Sequence, residues 1–263
     1  MDTCPKCGYT RGPQDADPYV ECPRCGIVFA KYARHHAQRA TEAAEEPMDA
    51  TDMAMADEAR PWYLRLLGRL MELPENPDPT VIMGQAAVLA VMVIWGVRLV
   101  SCKVMTAEIN YSFLHLVNLP IHEFGHILFR PFGEWMMYLG GSLFQCLLPA
   151  LIGAAFIWMQ RNPFAAAFCL WWSGENLVDV SPYIYDAKLM ALPLTGEWND
   201  AVAELHVQRH DWHNILEPLG LVNSAPHIGM LVHAVGAGVM LLACLWGGLW
   251  LWRAWRQSRS QGA

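Results

Sequence analysis

Charge is scarce in this sequence. Only 16% of its 263 residues are Asp, Glu, Lys or Arg, against roughly 25% in soluble domains. The acids are also unevenly spread: Glu42, Glu45, Glu46, Asp49, Asp52, Asp57 and Glu58 crowd one short stretch, enough to account for the formal net charge of −7. No basic run of the kind that tracks a phosphate backbone is present, so no nucleic-acid partner is expected. The first thirty residues carry cysteines and charges where a cleavable leader would have an apolar core, so no signal peptide is expected. Apolar residues are what the chain has in excess, at 54% with twelve Trp. That balance points to a lipid bilayer with aromatic belts at its interfaces.

The most informative stretch is His122-Glu123-Phe124-Gly125-His126, inside the almost wholly apolar segment Leu114 to Phe129. On a helix, His122 and His126 stand one turn apart on one face, where both can bind Zn²⁺. Glu123 between them can then serve as general base. Ionisable groups at membrane depth are costly and normally face a protein interior or a water-filled cavity, which makes this a catalytic zinc site within the membrane.

The cysteines divide into two groups. Cys4, Cys7, Cys22 and Cys25 form two Cys-x-x-Cys knuckles, each followed by a glycine (Gly8, Gly26), whereas Cys102, Cys146, Cys169 and Cys244 are scattered singly through apolar stretches. Two such knuckles close a tetrahedral S₄ site with no open position for water, a structural Zn²⁺ ribbon. The single cysteines read as small apolar side chains.

The organisation follows from these features. Residues 1–32 form the ribbon, and residues 33–79 form an acidic linker followed by an interfacial amphipathic segment over 60–73. Residues 80–255 form the membrane domain, with a polar loop over 186–224, and residues 256–263 are a tail. Five spans are expected: Val81–Val97, Ile109–Phe129, Trp135–Trp158, Pro163–Tyr185 and Pro226–Trp252. The fold class is therefore an all-α polytopic membrane protein with a small N-terminal zinc ribbon. Arg60, Arg65 and Arg69 ahead of the first span favour a cytoplasmic N-terminus, where thiols stay reduced. A bacterial inner membrane is the expected setting.

Two histidines need a third protein ligand. Glu175, Asp179 and Asp186, in or at the end of the fourth span, are all eligible on chemistry alone. Pro182 among them is expected to break the helix. In the polar loop His206, His210 and His213 share one helical face, a second metal site or polar cap if not an ordinary surface helix. His227 and His233 in the last span read as satisfied histidines.

The motif set resembles the site-2-protease class of intramembrane zinc metalloproteases. The residues that carry the resemblance are His122, Glu123 and His126, then Gly140 to Gln145, then Asp179-Val180-Ser181-Pro182-Tyr183-Ile184-Tyr185-Asp186-Ala187. Asp179 stands where that family has Asn, and Ala187 where it has Gly. The resemblance implies that His122, His126 and Asp186 hold the membrane Zn²⁺, with Glu123 catalytic. Glu175 and Asp179 would then act from behind. It also implies hydrolysis of a peptide bond in or near a spanning segment of a membrane-protein substrate. The alternative is a non-proteolytic metal-binding membrane protein that docks or assembles a partner. A metal transporter would need polar residues in several spans, and the third span offers little beyond Ser142 and Gln145.

Overall fold

The computed structural model describes residues 3–15, 20–44, 61–192 and 210–261. The chain divides into two compact units, Met1–Trp62 and Tyr63–Ala263. Among the described residues every regular element is helical, and the only strand-like pairings are the isolated bridges Thr3–Thr10 and Glu21–Val28.

In the first unit the two knuckles repeat one geometry. Cys4 N–H donates to Tyr9 O and Gly8 N–H to Cys4 O; Cys22 N–H donates to Ile27 O and Gly26 N–H to Cys22 O. Gly8 and Gly26 both sit at φ +69°, the left-handed conformation that glycine adopts without steric cost. The bridges flank the knuckles, and helix α1 (Phe29–Ala44) leaves the second one directly. The first part of the expected linker is therefore helical. The rest of the acidic stretch lies outside the described residues.

The second unit begins inside the amphipathic α2 (Trp62–Leu70), none of whose residues is buried. The long helices follow: α3 (Pro79–Val100), α4 (Phe113–Phe129), α5 (Glu134–Trp158) and α6 (Pro163–Asp186). The short α7 (Asp211–Leu216) precedes the terminal α8 (Ala225–Gln261). Among the described residues three segments are long and apolar enough to cross a membrane: Pro79–Val100, Glu134–Trp158 and Val222–Gln261. That is fewer than the five expected.

The other two segments fall short for different reasons. The chain makes 3₁₀ turns at Val104–Thr106 and Glu108–Tyr111 with Ala107 between them at φ 49°, so α4 starts at Phe113 and has only 17 residues. At 1.5 Å per residue that is about 26 Å, less than the roughly 30 Å hydrocarbon layer. Helix α6 has 24 residues but buries Glu175, Asn176, Asp179 and Ser181. It is the interior helix, packed against α3, α5 and α8.

Pro182 does not break α6, contrary to the sequence expectation. A proline cannot donate to the carbonyl four residues back, here that of Val178. Ser181 Oγ donates to that carbonyl at 2.7 Å instead, so the helix runs on to Asp186. Helix α8 is longer than expected. Its polar end is tied to the segment after α2 by Trp246 Nε1 to Leu70 O, Trp250 Nε1 to Glu72 O and Gln257 Nε2 to Pro74 O. The outer faces of α3 (Val81, Met83, Val91, Ile94, Val97) and α8 (Leu231, Leu241, Leu242, Leu245, Leu249) are exposed and apolar, larger than a water-facing surface normally carries.

Helices α6 and α8 meet backbone to backbone. A Cβ on Gly236 would lie 2.6 Å from Gly174 O and 2.9 Å from Leu177 Cβ, and small residues are what allow such approach between apolar helices. Gly236→Val should therefore overpack the crossing by about 1–3 kcal/mol, seen as a lower melting temperature in detergent. An unchanged melt would contradict this seam.

Candidate metal centre

Helix α4 is capped by Ser112, whose Oγ accepts from Leu114 N–H, and carries the motif in its second half. The helical repeat brings His122 and His126 to one face, ring centroids 4.8 Å apart. Each ring is oriented from behind. His122 Nδ1 lies 2.9 Å from Gln145 Oε1, and His126 Nδ1 lies 2.8 Å from the carbonyl of Met137. An oxygen acceptor on each Nδ1 fixes the proton there and leaves Nε2 free as a ligand atom, the usual arrangement of metal-binding histidines.

The two Nε2 atoms converge on Asp211. Its Oδ2 is 3.3 Å from His122 Nε2 and 3.3 Å from His126 Nε2. In a tetrahedral zinc site with bonds of about 2.0–2.1 Å, ligand atoms sit about 3.3 Å apart. The space in front of the rings is kept open by Gly141 of α5, where a Cβ would lie 2.7 Å from His122 Nε2 and 2.6 Å from His126 Nε2. Where α4 crosses α5, a Cβ on Gly125 would run into Gly140 O, so the glycine of the motif sets how near the imidazoles come to Gly141. Burial works against the charge of Asp211, but the two imidazoles it faces outweigh that and hold its carboxyl below the usual carboxylate range.

Asp211 was not among the sequence candidates. The third-ligand expectation fell on Asp186, and the structure does not bring Asp186 to this group. Its Oδ1 accepts from Ala191 N–H and its Oδ2 from Leu192 N–H, and Oδ2 faces His210 Nε2 at 3.5 Å. The carboxylate that caps the chain just beyond α6 thus cannot also reach the imidazoles. A signal was present in His210-Asp211-Trp212-His213: an acid between two histidines in the polar loop. His210 caps α7 through Nδ1, and His213 Nδ1 lies 2.8 Å from Ala187 O, so both fasten α7. His206 lies outside the described residues. His227 is exposed, and His233 bonds Ser181 Oγ and Val100 O.

Glu175 and Asp179 stand behind the centre, as a chain of polar contacts. Gln145, whose Oε1 accepts from His122 Nδ1, donates through Nε2 to Asp179 Oδ2 at 2.8 Å. Asp179 Oδ1 meets His115 Nδ1 at 2.9 Å, and Asn118 Nδ2 donates to Glu175 Oε2 at 2.9 Å. Trp172 Nε1 completes Asn118 through Oδ1. Glu123 is exposed, and its charge acts on both His126 and Tyr183.

The four ribbon thiols also converge. Cys4 and Cys25 Sγ are 3.7 Å apart, as are Cys7 and Cys22 Sγ, and none of the eight cysteines is in a disulfide. With Zn–S bonds of about 2.3 Å, tetrahedral sulfurs lie about 3.8 Å apart. Burial raises the Cys4 thiol, but backbone and side-chain hydrogen bonds outweigh it and bring it down to about 6, while the other three thiols help to push Cys25 up to about 12, so one thiol of the cluster gives up its proton first. Among the described residues these are the two groups whose ligand atoms could hold a metal ion.

Comparison with protein-family models, with curated proteins and with solved structures gives no match.

The open space at Gly141 generates a direct test. Gly141→Ala puts a methyl group against both Nε2 atoms while leaving every candidate ligand in place. Its zinc affinity at this centre should fall at least about tenfold, with ribbon zinc unchanged, by competition with a chromophoric chelator. Wild-type affinity would mean that no ion sits in front of the two rings.

Proposed function

We propose that the protein is an intramembrane zinc metalloprotease of the site-2-protease type, cleaving a peptide bond in or near a spanning segment of another membrane protein. The observation that carries this reading is the approach of His122 Nε2 and His126 Nε2 to Asp211 Oδ2, both at 3.3 Å. Two imidazoles and one carboxylate are a donor set for zinc that leaves a fourth position open, as catalytic rather than structural sites do. Zinc bound there supplies Lewis acidity toward a scissile carbonyl and an attacking water.

The chain's own residues supply the rest. Glu123 sits on the same helix between the two ligands, is exposed, and is near enough for its charge to act on His126 and Tyr183. Its carboxylate takes the proton of the attacking water and passes it to the departing amine. His115, Asn118, Gln145, Glu175 and Asp179 hold the His122 ring and bear no proton of the reaction. In this reading α6 crosses the apolar layer inside the bundle, and α4 joins it as the fifth span with the 3₁₀ turn Glu108–Tyr111 adding to its 17 residues. The centre lies toward one end of that layer: Met137 and Gly141 come from the first turns of α5, and Tyr183 from the last turn of α6. A substrate helix must unwind locally for its carbonyl to reach the site, so helix-weakening residues are expected near the cut. The bacterial inner membrane with a cytoplasmic ribbon belongs to the same reading.

Glu123→Gln separates chemistry from metal binding. In liposomes holding an apolar helical peptide, the zinc-loaded wild type should cleave and Glu123→Gln should lose at least about a hundredfold in rate while keeping both zinc ions. Zinc-replete wild type that leaves every such peptide intact would favour the non-proteolytic docking reading, and an active Glu123→Gln would remove Glu123 from the reaction.

A further inference from the structure

The carboxylate of Asp186 joins two parts of the chain that are distant in sequence. It accepts from Ala191 and Leu192 N–H just beyond α6, and it faces the ring of His210 at 3.5 Å. His210 immediately precedes Asp211. Its ring is fully buried, and Nδ1 accepts from His213 N–H at 3.2 Å. A neutral imidazole that accepts at Nδ1 carries its proton at Nε2, the nitrogen turned to Asp186. The same ring lies 4.5 Å, centroid to centroid, from Tyr183, whose hydroxyl accepts from Asp211 N–H at 3.0 Å.

We propose that Asp186 and His210 form a latch that positions Asp211 at the two imidazoles. The proposal rests on the reading of His122, His126 and Asp211 as a metal centre. Asp211 is the one ligand supplied from outside the long helices, on a helix of six residues. A helix that short has little stability of its own, so the position of its first residue depends on what fastens it. Ile215 and Leu216 bury their side chains, Trp212 Nε1 donates to Ser142 Oγ, and Trp135 Nε1 donates to Ile215 O. Those contacts hold the body of α7. The residue beside the ligand is held by the latch. By meeting the backbone N–H groups of Ala191 and Leu192 as well as the ring of His210, one carboxylate fixes where α7 begins before a metal arrives, so that less ordering is left to be subtracted from affinity. Asp186 is thus a positioning residue acting through His210 and not a ligand.

The test uses the full chain in detergent and Co²⁺ alone as probe, because thiolate charge-transfer bands report the ribbon and weaker d–d bands report the nitrogen–oxygen centre. Asp186→Asn keeps the shape of the side chain and removes its charge. His210→Asn keeps an acceptor near the Nδ1 position but has no donor at the Nε2 position, whereas His210→Gln can reach that position with an amide. Asp186→Asn and His210→Asn should each weaken Co²⁺ at the centre by about 10–100-fold, with unchanged bands at saturation and unchanged ribbon bands. The double variant should be no weaker than either single one, as for two residues in one interaction, and His210→Gln should recover most of the loss.

Additive losses, or wild-type affinity in Asp186→Asn, would overturn the latch. An empty centre in Asp186→Asn even at saturating Co²⁺ would make Asp186 a ligand and overturn it as well. Asp211→Ala separates the two levels. If it binds Co²⁺ like wild type, the metal-centre reading fails and the latch with it. If it loses Co²⁺ while Asp186→Asn does not, only the latch fails.

Discussion

Three groups that carry or share charge, His122, His126 and Asp211, are held within reach of one another at one end of an apolar helical bundle. The rest of the membrane unit is arranged around that constraint. Removing such groups from water costs several kcal/mol each unless they are paired or coordinate a metal. With the proton of each ring on Nδ1, two Nε2 lone pairs and one Oδ2 face one another, and a divalent ion at their convergence would be the electron-pair acceptor that the site lacks. The rings cannot turn away to avoid the cost, because each Nδ1 is committed to an acceptor behind it.

Space and polarity at the site come from different helices for physical reasons. The opening in front of the rings depends on α4 and α5 approaching at Gly125 and Gly140–Gly141, where no side chain separates the backbones. The rings are oriented by Gln145 and the Met137 carbonyl of α5, and Gln145 is held in turn by Asp179 of α6, which sits inside the bundle and can therefore carry Glu175 and Asp179 at no lipid-facing cost. Glu175 Oε2 accepts from the amide of Asn118 and Asp179 Oδ2 from that of Gln145, while Asp179 Oδ1 faces His115. Polarity is thus stacked inward, from His115 through Asp179 and Gln145 to the imidazole of His122. Helices α3 and α8 present the apolar exterior that such an interior requires.

Much of this was legible in the chain. The cysteine knuckles are a local pattern of thiols and glycines, and the two motif histidines are one helical turn apart, so both follow from spacing. The ends of α3, α5 and α6 fall within three residues of where apolar runs meet Pro or charge. What was not legible depends on tertiary contact. Asp211 is 89 positions from His122 and reaches it only because α7 docks against α5 and α6, which no periodicity announces. Asp186 stood at the position the resemblance favoured, but its carboxylate is consumed by the backbone after α6. Pro182 looked like a break because proline frees a carbonyl. The remedy was the preceding residue, Ser181, whose hydroxyl takes that carbonyl. The shortness of α4 follows from the left-handed Ala107, a conformation composition does not predict.

Zinc K-edge absorption on the full-length Cys4→Ser/Cys7→Ser protein tests the central claim most directly, because disabling the ribbon leaves the bundle's zinc as the signal. The account predicts about one zinc per chain with a nitrogen and oxygen shell at about 2.0–2.1 Å, imidazole scattering from two rings and no sulfur. Loss of that zinc on Asp211→Ala completes the prediction. A variant without zinc, or one whose zinc is sulfur-ligated or indifferent to Asp211, would contradict it.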